Sequence, residues 1–208
     1  RTSAMGLNRR QLLHWASLAP VAAATTLAVP SVFASPMNST SRSSGLILPA
    51  DHEANLESHR TLKLRNLHTN EHVNVTYWEQ GEYHVDALAE IYLLMRDHRA
   101  NSITAIDVNL LDQLHSVQSK LQSNKEILLV SGYRSPQTNS MLRASSKGNG
   151  VAKHSLHMQG KAMDFRIAGT NLRQVHRATL ASTQGGVGYY SRGGYIHMDT
   201  GRKRKWGL

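Results

Sequence analysis

Polar and apolar residues alternate along Thr61-Leu62-Lys63-Leu64-Arg65-Asn66-Leu67, the pattern of a strand with one buried face. His68-Thr69-Asn70-Glu71 supplies a turn, and Val73-Asn74-Val75-Thr76-Tyr77-Trp78 returns as the second strand of a hairpin. The period then changes. From Val85 to His98 the apolar residues Leu88, Ile91, Tyr92, Leu94 and Met95 recur at helical spacing. Asp107 is placed to cap a second helix reaching about Leu121, with Leu110, Leu111, Leu114, Val117 and Leu121 on one face. The apolar run Glu126-Ile127-Leu128-Leu129-Val130-Ser131 predicts a central strand that Gly132 ends. Ser135-Pro136 opens a short helix through about Ala144, with proline suited to the first turn. Ser145 to Gly150 is a Gly/Ser loop. Lys161 to Ile167 is a further strand, and Asn171 caps a helix to about Ala181. Gly185-Gly186 turns the chain into strands at Val187 to Tyr190 and Tyr195 to Thr200. Early helices, late strands and no internal repeat predict an α+β fold with a largely antiparallel sheet.

The first 58 residues do not join this pattern. Leu7-Asn8-Arg9-Arg10-Gln11-Leu12-Leu13 pairs two arginines ahead of an alanine-rich apolar stretch from Leu12 to Phe33. Val32-Phe33-Ala34 then fits a small-residue cleavage site. The segment resembles a twin-arginine export signal read from Met5, which implies periplasmic delivery of a folded protein. Pro20, Pro30 and the cleavage-like end argue against a retained membrane anchor. Residues 35–58, rich in Ser, Asn and charge, read as a flexible linker. Residues 59–208 then form one domain.

Composition narrows the chemistry. The 208 residues contain no cysteine, which excludes disulfides and thiolate metal sites. The formal charge of +10 falls to about +7 without Arg1, Arg9 and Arg10 of the leader. A basic protein favours polyanions: nucleic acid, anionic lipid or an acidic cell-wall polymer. The basic run Arg202-Lys203-Arg204-Lys205 has only Trp206 as an aromatic neighbour, so nucleic acid is not an expected partner.

Two segments carry the candidate chemistry. In Ser155-Leu156-His157-Met158-Gln159-Gly160-Lys161-Ala162-Met163-Asp164, the histidine lies on the loop entering a strand and the aspartate on the strand itself. Side chains alternate along a strand, so Ala162, Asp164 and Arg166 share one face while Met163 and Phe165 share the other. On the last strand Tyr195, His197 and Asp199 share a face and Ile196 and Met198 back it. His157, Asp164 and His197 are the ligand set a catalytic zinc ion takes, with one position open. His154, three residues before His157, competes for a ligand position. Asp199 is a candidate either to orient His197 or to act as general base. Tyr195 is a candidate donor to a developing oxyanion.

At these residues the chain resembles the zinc D-Ala-D-Ala carboxypeptidase superfamily. Ser155, His157, Gly160, Ala162 and Asp164 match its Ser-x-His-x-x-Gly-x-Ala-x-Asp motif. Within that group it is similar to the murein endopeptidase K-like family, which shares Ser131 to Pro136, Gly185 to Tyr190 and the His197 to Gly201 ending. The likeness runs from about Thr61 to Trp206. It implies the fold of lysostaphin-type enzymes and the hedgehog domain: a small, mainly antiparallel sheet carrying zinc, flanked by helices. It implies His157, Asp164 and His197 as zinc ligands, and Arg134 as a group facing the substrate or the oxyanion. The chain departs from the pattern at two positions. Gly194 stands where many relatives place a catalytic acid, and Tyr195 where others have the first His of His-x-His. The expected activity is zinc-dependent hydrolysis of peptide cross-links in cell-wall murein (peptidoglycan). The alternatives are a D,D- or L,D-carboxypeptidase and a non-catalytic zinc module that binds murein. Which bond is cut stays open between D-Ala–diaminopimelate and diaminopimelate–diaminopimelate.

Overall fold

The hairpin predicted at the start of the domain is the edge of an eight-stranded sheet. The computed structural model describes residues 58–146 and 151–207, which fall in one unit, Ser58–Leu208. The expected leader at 1–34 and almost all of the expected linker lie outside the described residues. Strands β1 (His59–Asn66), β2 (His72–Glu79) and β3 (Glu82–Tyr83) form a meander. The turn between β2 and β3 holds Gln80 and Gly81 at φ 51° and 94°, the paired positive φ of a tight two-residue hairpin. Helices α1 (Val85–Leu94) and α2 (Val108–Lys120) follow, then β4 (Ile127–Ser131) and α3 (Pro136–Ser145). A single 3-10 turn at Leu156–Gln159 leads into β5 (Ala162–Ile167). Helix α4 (Leu172–Ser182), β6 (Gly186–Tyr190), β7 (Tyr195–Asp199) and β8 (Arg204–Trp206) complete the chain.

The strand order is β3-β2-β1-β4-β5-β7-β6-β8. β1 runs parallel to β4, and β6 runs parallel to β8. The α+β class holds and five of the seven pairings between these strands are antiparallel, but the sheet is mixed and larger than the small one the resemblance implies. Neither parallel pairing joins adjacent segments of chain, so local pattern does not announce it. Two further boundaries differ. Helix α1 stops at Leu94 with Met95 as its cap, four residues before the expected end at His98. The basic run near the C-terminus ends in a strand, because Arg204-Lys205-Trp206 pairs with the sheet.

Helix caps fall where the sequence put them. Asp107, Ser135 and Asn171 each accept a backbone N–H of the first turn, from Asn109, Thr138 and Arg173. The apolar faces meet in one core. Leu62, Leu64, Ile127, Leu129, Met163, Phe165, Ile196 and Met198 of the sheet pack with Ile91, Leu110, Leu111, Leu114, Val117 and Val175 of the helices. Burying each such side chain contributes about 1.5–3 kcal/mol of transfer free energy. The alternate residues of β5 and β7 therefore project from the other face of the sheet. That face carries the site.

Candidate metal centre

Strands β5 and β7 pair antiparallel with Asp164 directly opposite His197 and Ala162 opposite Asp199. Side chains directly opposite on neighbouring strands lie on the same face. The parity read from each strand separately thus becomes one cluster. His157 enters from the 3-10 turn, which Ser155 caps and Gly160 closes in the left-handed conformation at φ 66°. A side chain at Gly160 would collide with the carbonyl of Ala105, so glycine is required there by space as well as by φ.

The three side chains converge through one atom each. His157 Nε2 lies 3.3 Å from His197 Nδ1 and 3.4 Å from Asp164 Oδ1. His197 Nδ1 lies 2.8 Å from that same Asp164 oxygen. All three residues are buried. The outer nitrogen of each ring is engaged elsewhere. His157 Nδ1 is 2.7 Å from the carbonyl oxygen of Gly132, which only accepts, so this nitrogen carries the hydrogen. His197 Nε2 is 3.0 Å from Asp199 Oδ2, again an acceptor. A neutral imidazole with its N–H turned outward presents a bare lone pair inward. With both rings in that form, two lone pairs and a carboxylate oxygen face one another with no hydrogen between them, unless His197 takes a second proton and donates across the 2.8 Å to Asp164. A cation relieves that arrangement, and the outward N–H bonds to a carbonyl and a carboxylate are those of metal-bound histidines. The donor set and its burial fit zinc, which takes His and Asp ligands. His154 is exposed and stands outside the cluster.

Charge follows the same geometry. Burial alone would push the Asp164 carboxyl up, but the imidazoles, His157 foremost, hold it well below the usual carboxylate range. Burial would lower the His197 pKa, and the carboxylates of Asp164 and Asp199 outweigh it, so the value is raised. Asp199 is completely buried and saturated with donors. Its Oδ1 accepts from Gly186 N at 3.0 Å, Gly201 N at 2.9 Å and Arg204 Nη1 at 3.0 Å. Its Oδ2 accepts from Arg204 Nη2 at 2.6 Å and from His197. Burial would raise its pKa, but these donors hold it well below the usual range.

Arg134 and Tyr195 flank the cluster. Arg134 Nη2 is 3.9 Å from Asp164 Oδ2, and Nη1 donates to Asn139 Oδ1 at 3.3 Å. Its Nε is buried without a hydrogen-bond partner. Burial lowers the Arg134 pKa, with Asp164 and Tyr195 opposing. The Tyr195 hydroxyl is pushed up to about 12, first by burial and then by the Asp164 charge. It therefore holds its proton at neutral pH. Tyr195 stacks on Tyr190 with ring centres 4.7 Å apart. Gly194, at the position where many relatives carry an acid, sits at φ 68° in the β6–β7 turn, a left-handed conformation that suits glycine.

Three contributors escaped the sequence reading. The Gly132 carbonyl is a backbone group, and no side-chain motif signals it. A side chain on Gly132 would collide with the Met95 carbonyl, so the glycine lets the loop lie against the end of α1. Asp97 is buried and accepts from the backbone N–H of Ser135 at 2.9 Å and of Arg99 at 3.0 Å. Burial would raise its pKa, yet hydrogen bonds from Ser135 and Thr138 bring it to about 2. It anchors the loop that carries Gly132 and Arg134. Arg204 is the third, on the unrecognised β8. One consequence is testable. Gly132→Ala is expected to lose about 1–3 kcal/mol from overpacking. It is also expected to weaken metal binding by displacing the acceptor of His157. Urea unfolding and metal titration of the variant check both.

The family model described as peptidoglycan L,D-endopeptidase MepK matches residues 54–206. The chain belongs to that family. It is 44% identical over 162 residues to peptidoglycan L,D-endopeptidase MepK of Escherichia coli (strain K12), a match covering 77% of this chain and 88% of that protein. A probable peptidoglycan L,D-endopeptidase MepK of Haemophilus influenzae is 40% identical over 148 residues, covering 71% of this chain and 78% of its own. No solved structure matches the chain. Membership in the MepK family makes the protein a peptidase, and the expected alternative of a non-catalytic module is set aside. Among the described residues no helix is long and apolar enough to cross a membrane.

Proposed function

We propose that the protein is an exported, zinc-dependent endopeptidase that hydrolyses an L,D peptide bond in the cross-links of murein. The observation that carries the reading is the convergence of His157 Nε2, Asp164 Oδ1 and His197 Nδ1, each ring with its outer nitrogen against an oxygen acceptor. The names of the relatives favour the L,D bond. Of the two cross-links left open by the sequence, diaminopimelate–diaminopimelate runs from an L-centre carbonyl to a D-centre amine. The D-Ala–diaminopimelate bond joins two D-centres. Delivery to the periplasm rests on the twin-arginine pattern of residues 7–13 and on the location of the polymer.

Zinc, when bound by His157, Asp164 and His197, supplies Lewis acidity that polarises a carbonyl and acidifies water. The chain's own groups do the rest. His197 is held in one tautomer by Asp199, and His157 by the Gly132 carbonyl. Tyr195 keeps its proton and donates a hydrogen bond to the carbonyl oxygen as negative charge grows there. Arg134, with an unmet buried N–H, receives that oxygen or a peptide carboxylate. Asp199 serves to position His197 and not as the base, because its two oxygens already accept five hydrogen bonds.

Mass spectrometry of peptides released from purified murein tests this reading. Diaminopimelate–diaminopimelate dimers are expected to disappear and monomers to appear, with both changes abolished by chelator. Release of single terminal residues would make the protein a carboxypeptidase. Loss of D-Ala–diaminopimelate dimers alone would reassign the bond.

A further inference from the structure

We propose that Arg204 is a positioning residue for the last metal ligand, acting through Asp199 from a strand, β8, that pairs with β6 at the sheet edge among the described residues. The inference rests on the reading of His157, Asp164 and His197 as a metal site.

Strand β8 lies parallel to β6, with Arg204 beside Gly186, Lys205 beside Val187 and Trp206 beside Gly188. Arg204 and Trp206 alternate with Lys205 and so share a face. The two positions of β6 next to them are both glycines. A Cβ on Gly186 would sit 2.5 Å from both Arg204 Nη1 and Asp199 Oδ2, and one on Gly188 would sit 2.5 Å from the Trp206 ring. The bare strip of backbone on β6 lets both side chains of β8 reach across it to β7. There Arg204 grips Asp199 with two donors, one on each oxygen, at 3.0 and 2.6 Å. The Trp206 ring lies 5.2 Å from the His197 ring, and its Nε1 donates to Tyr190 Oη at 3.0 Å.

The shared atom decides the role. Asp199 Oδ2 takes the shorter Arg204 bond and also the N–H of His197. Arg204 thus fixes the rotation of the carboxylate that in turn fixes the imidazole. A fork-on-fork arginine pair sets orientation in a way a single-point donor cannot. Without it, Asp199 is free to turn, and His197 loses the partner that fixes the angle of its ring.

The test is metal affinity, measured by titrating zinc against a chromophoric chelator. It compares the purified protein with Arg204→Met, Arg204→Lys, Asp199→Asn and the Arg204→Met/Asp199→Asn double variant. The unaltered protein is expected to bind one ion. Arg204→Met is expected to weaken binding by about 10–100-fold, as loss of an outer partner of a metal-bound histidine does. Arg204→Lys, the milder change should the methionine variant not fold, is expected to lose less. The double variant is expected to bind no more weakly than Asp199→Asn alone, because the arginine acts through that carboxylate. Wild-type affinity in both single arginine variants, whatever their melting temperatures, would overturn the proposal and leave Arg204 a structural residue. Additive losses in the double variant would overturn it as well. Absence of metal binding in the unaltered protein would instead overturn the metal-site reading beneath it.

Discussion

Replacing His157 with alanine is expected to leave a folded protein that neither retains zinc nor releases peptides from murein. The substitution removes one of three inward acceptors. The other two, His197 Nδ1 and Asp164 Oδ1, are 2.8 Å apart and can satisfy each other once His197 takes a proton. The raised pKa of His197 favours that proton. A dry ion pair thus replaces the metal site. Loss of an outer partner alone lowers metal affinity about 10–100-fold, and loss of a ligand is expected to exceed this. The fold pays a smaller cost: the Gly132 carbonyl loses its donor, worth about 1–3 kcal/mol if no water reaches it. His157→Asn separates the effects, since its amide can still donate toward Gly132 while offering no ring nitrogen to the cluster. Metal content, murein digestion and urea unfolding of both variants check the expectation. Activity in His157→Ala at the unaltered level would contradict the site.

Asp199→Ala is expected to be the most destabilising single change at the site. It strips five hydrogen bonds from a completely buried position and leaves the N–H groups of Gly186, Gly201 and His197 without their acceptor. Breaking a buried ion pair from one side costs about 3–5 kcal/mol. Arg204 is about one-third exposed, at 35%, so water offsets part of its loss and the lower end of that range applies. Asp199→Asn is gentler. It keeps an oxygen for some of the donors but turns an N–H toward Arg204 or His197, and metal affinity falls about 10–100-fold. Urea midpoints and metal titrations distinguish the two. A base that did nothing structural would leave both quantities unchanged and lower only the rate.

The site was more legible than the sheet that carries it, and particular residues show why. Alternation along β5 and β7 is a local property, so the faces of Asp164 and His197 could be read from each strand alone. Their direct pairing then followed from the antiparallel register. The parallel pairing of Leu64 with Ile127 joins segments far apart in the chain, and nothing within either segment names the other. Strand β3 has two residues and β8 three, too few for a period to show. Arg204 reads in the sequence as one charge of a basic run, because its charge is visible there and its partner is not. Asp97 was hidden inside a helical stripe that continued past the true end of α1, where its carboxylate accepts the backbone N–H of Ser135. The Gly132 carbonyl had no sequence signal beyond a glycine that ends a strand.

The most direct test of the account is anomalous scattering from zinc-soaked crystals of the protein at the zinc edge. A single strong peak is expected about 2.0–2.2 Å from His157 Nε2, Asp164 and His197 Nδ1, the range for zinc bound by imidazole and carboxylate. A peak held by other residues, or none with these three side chains ordered, would contradict it.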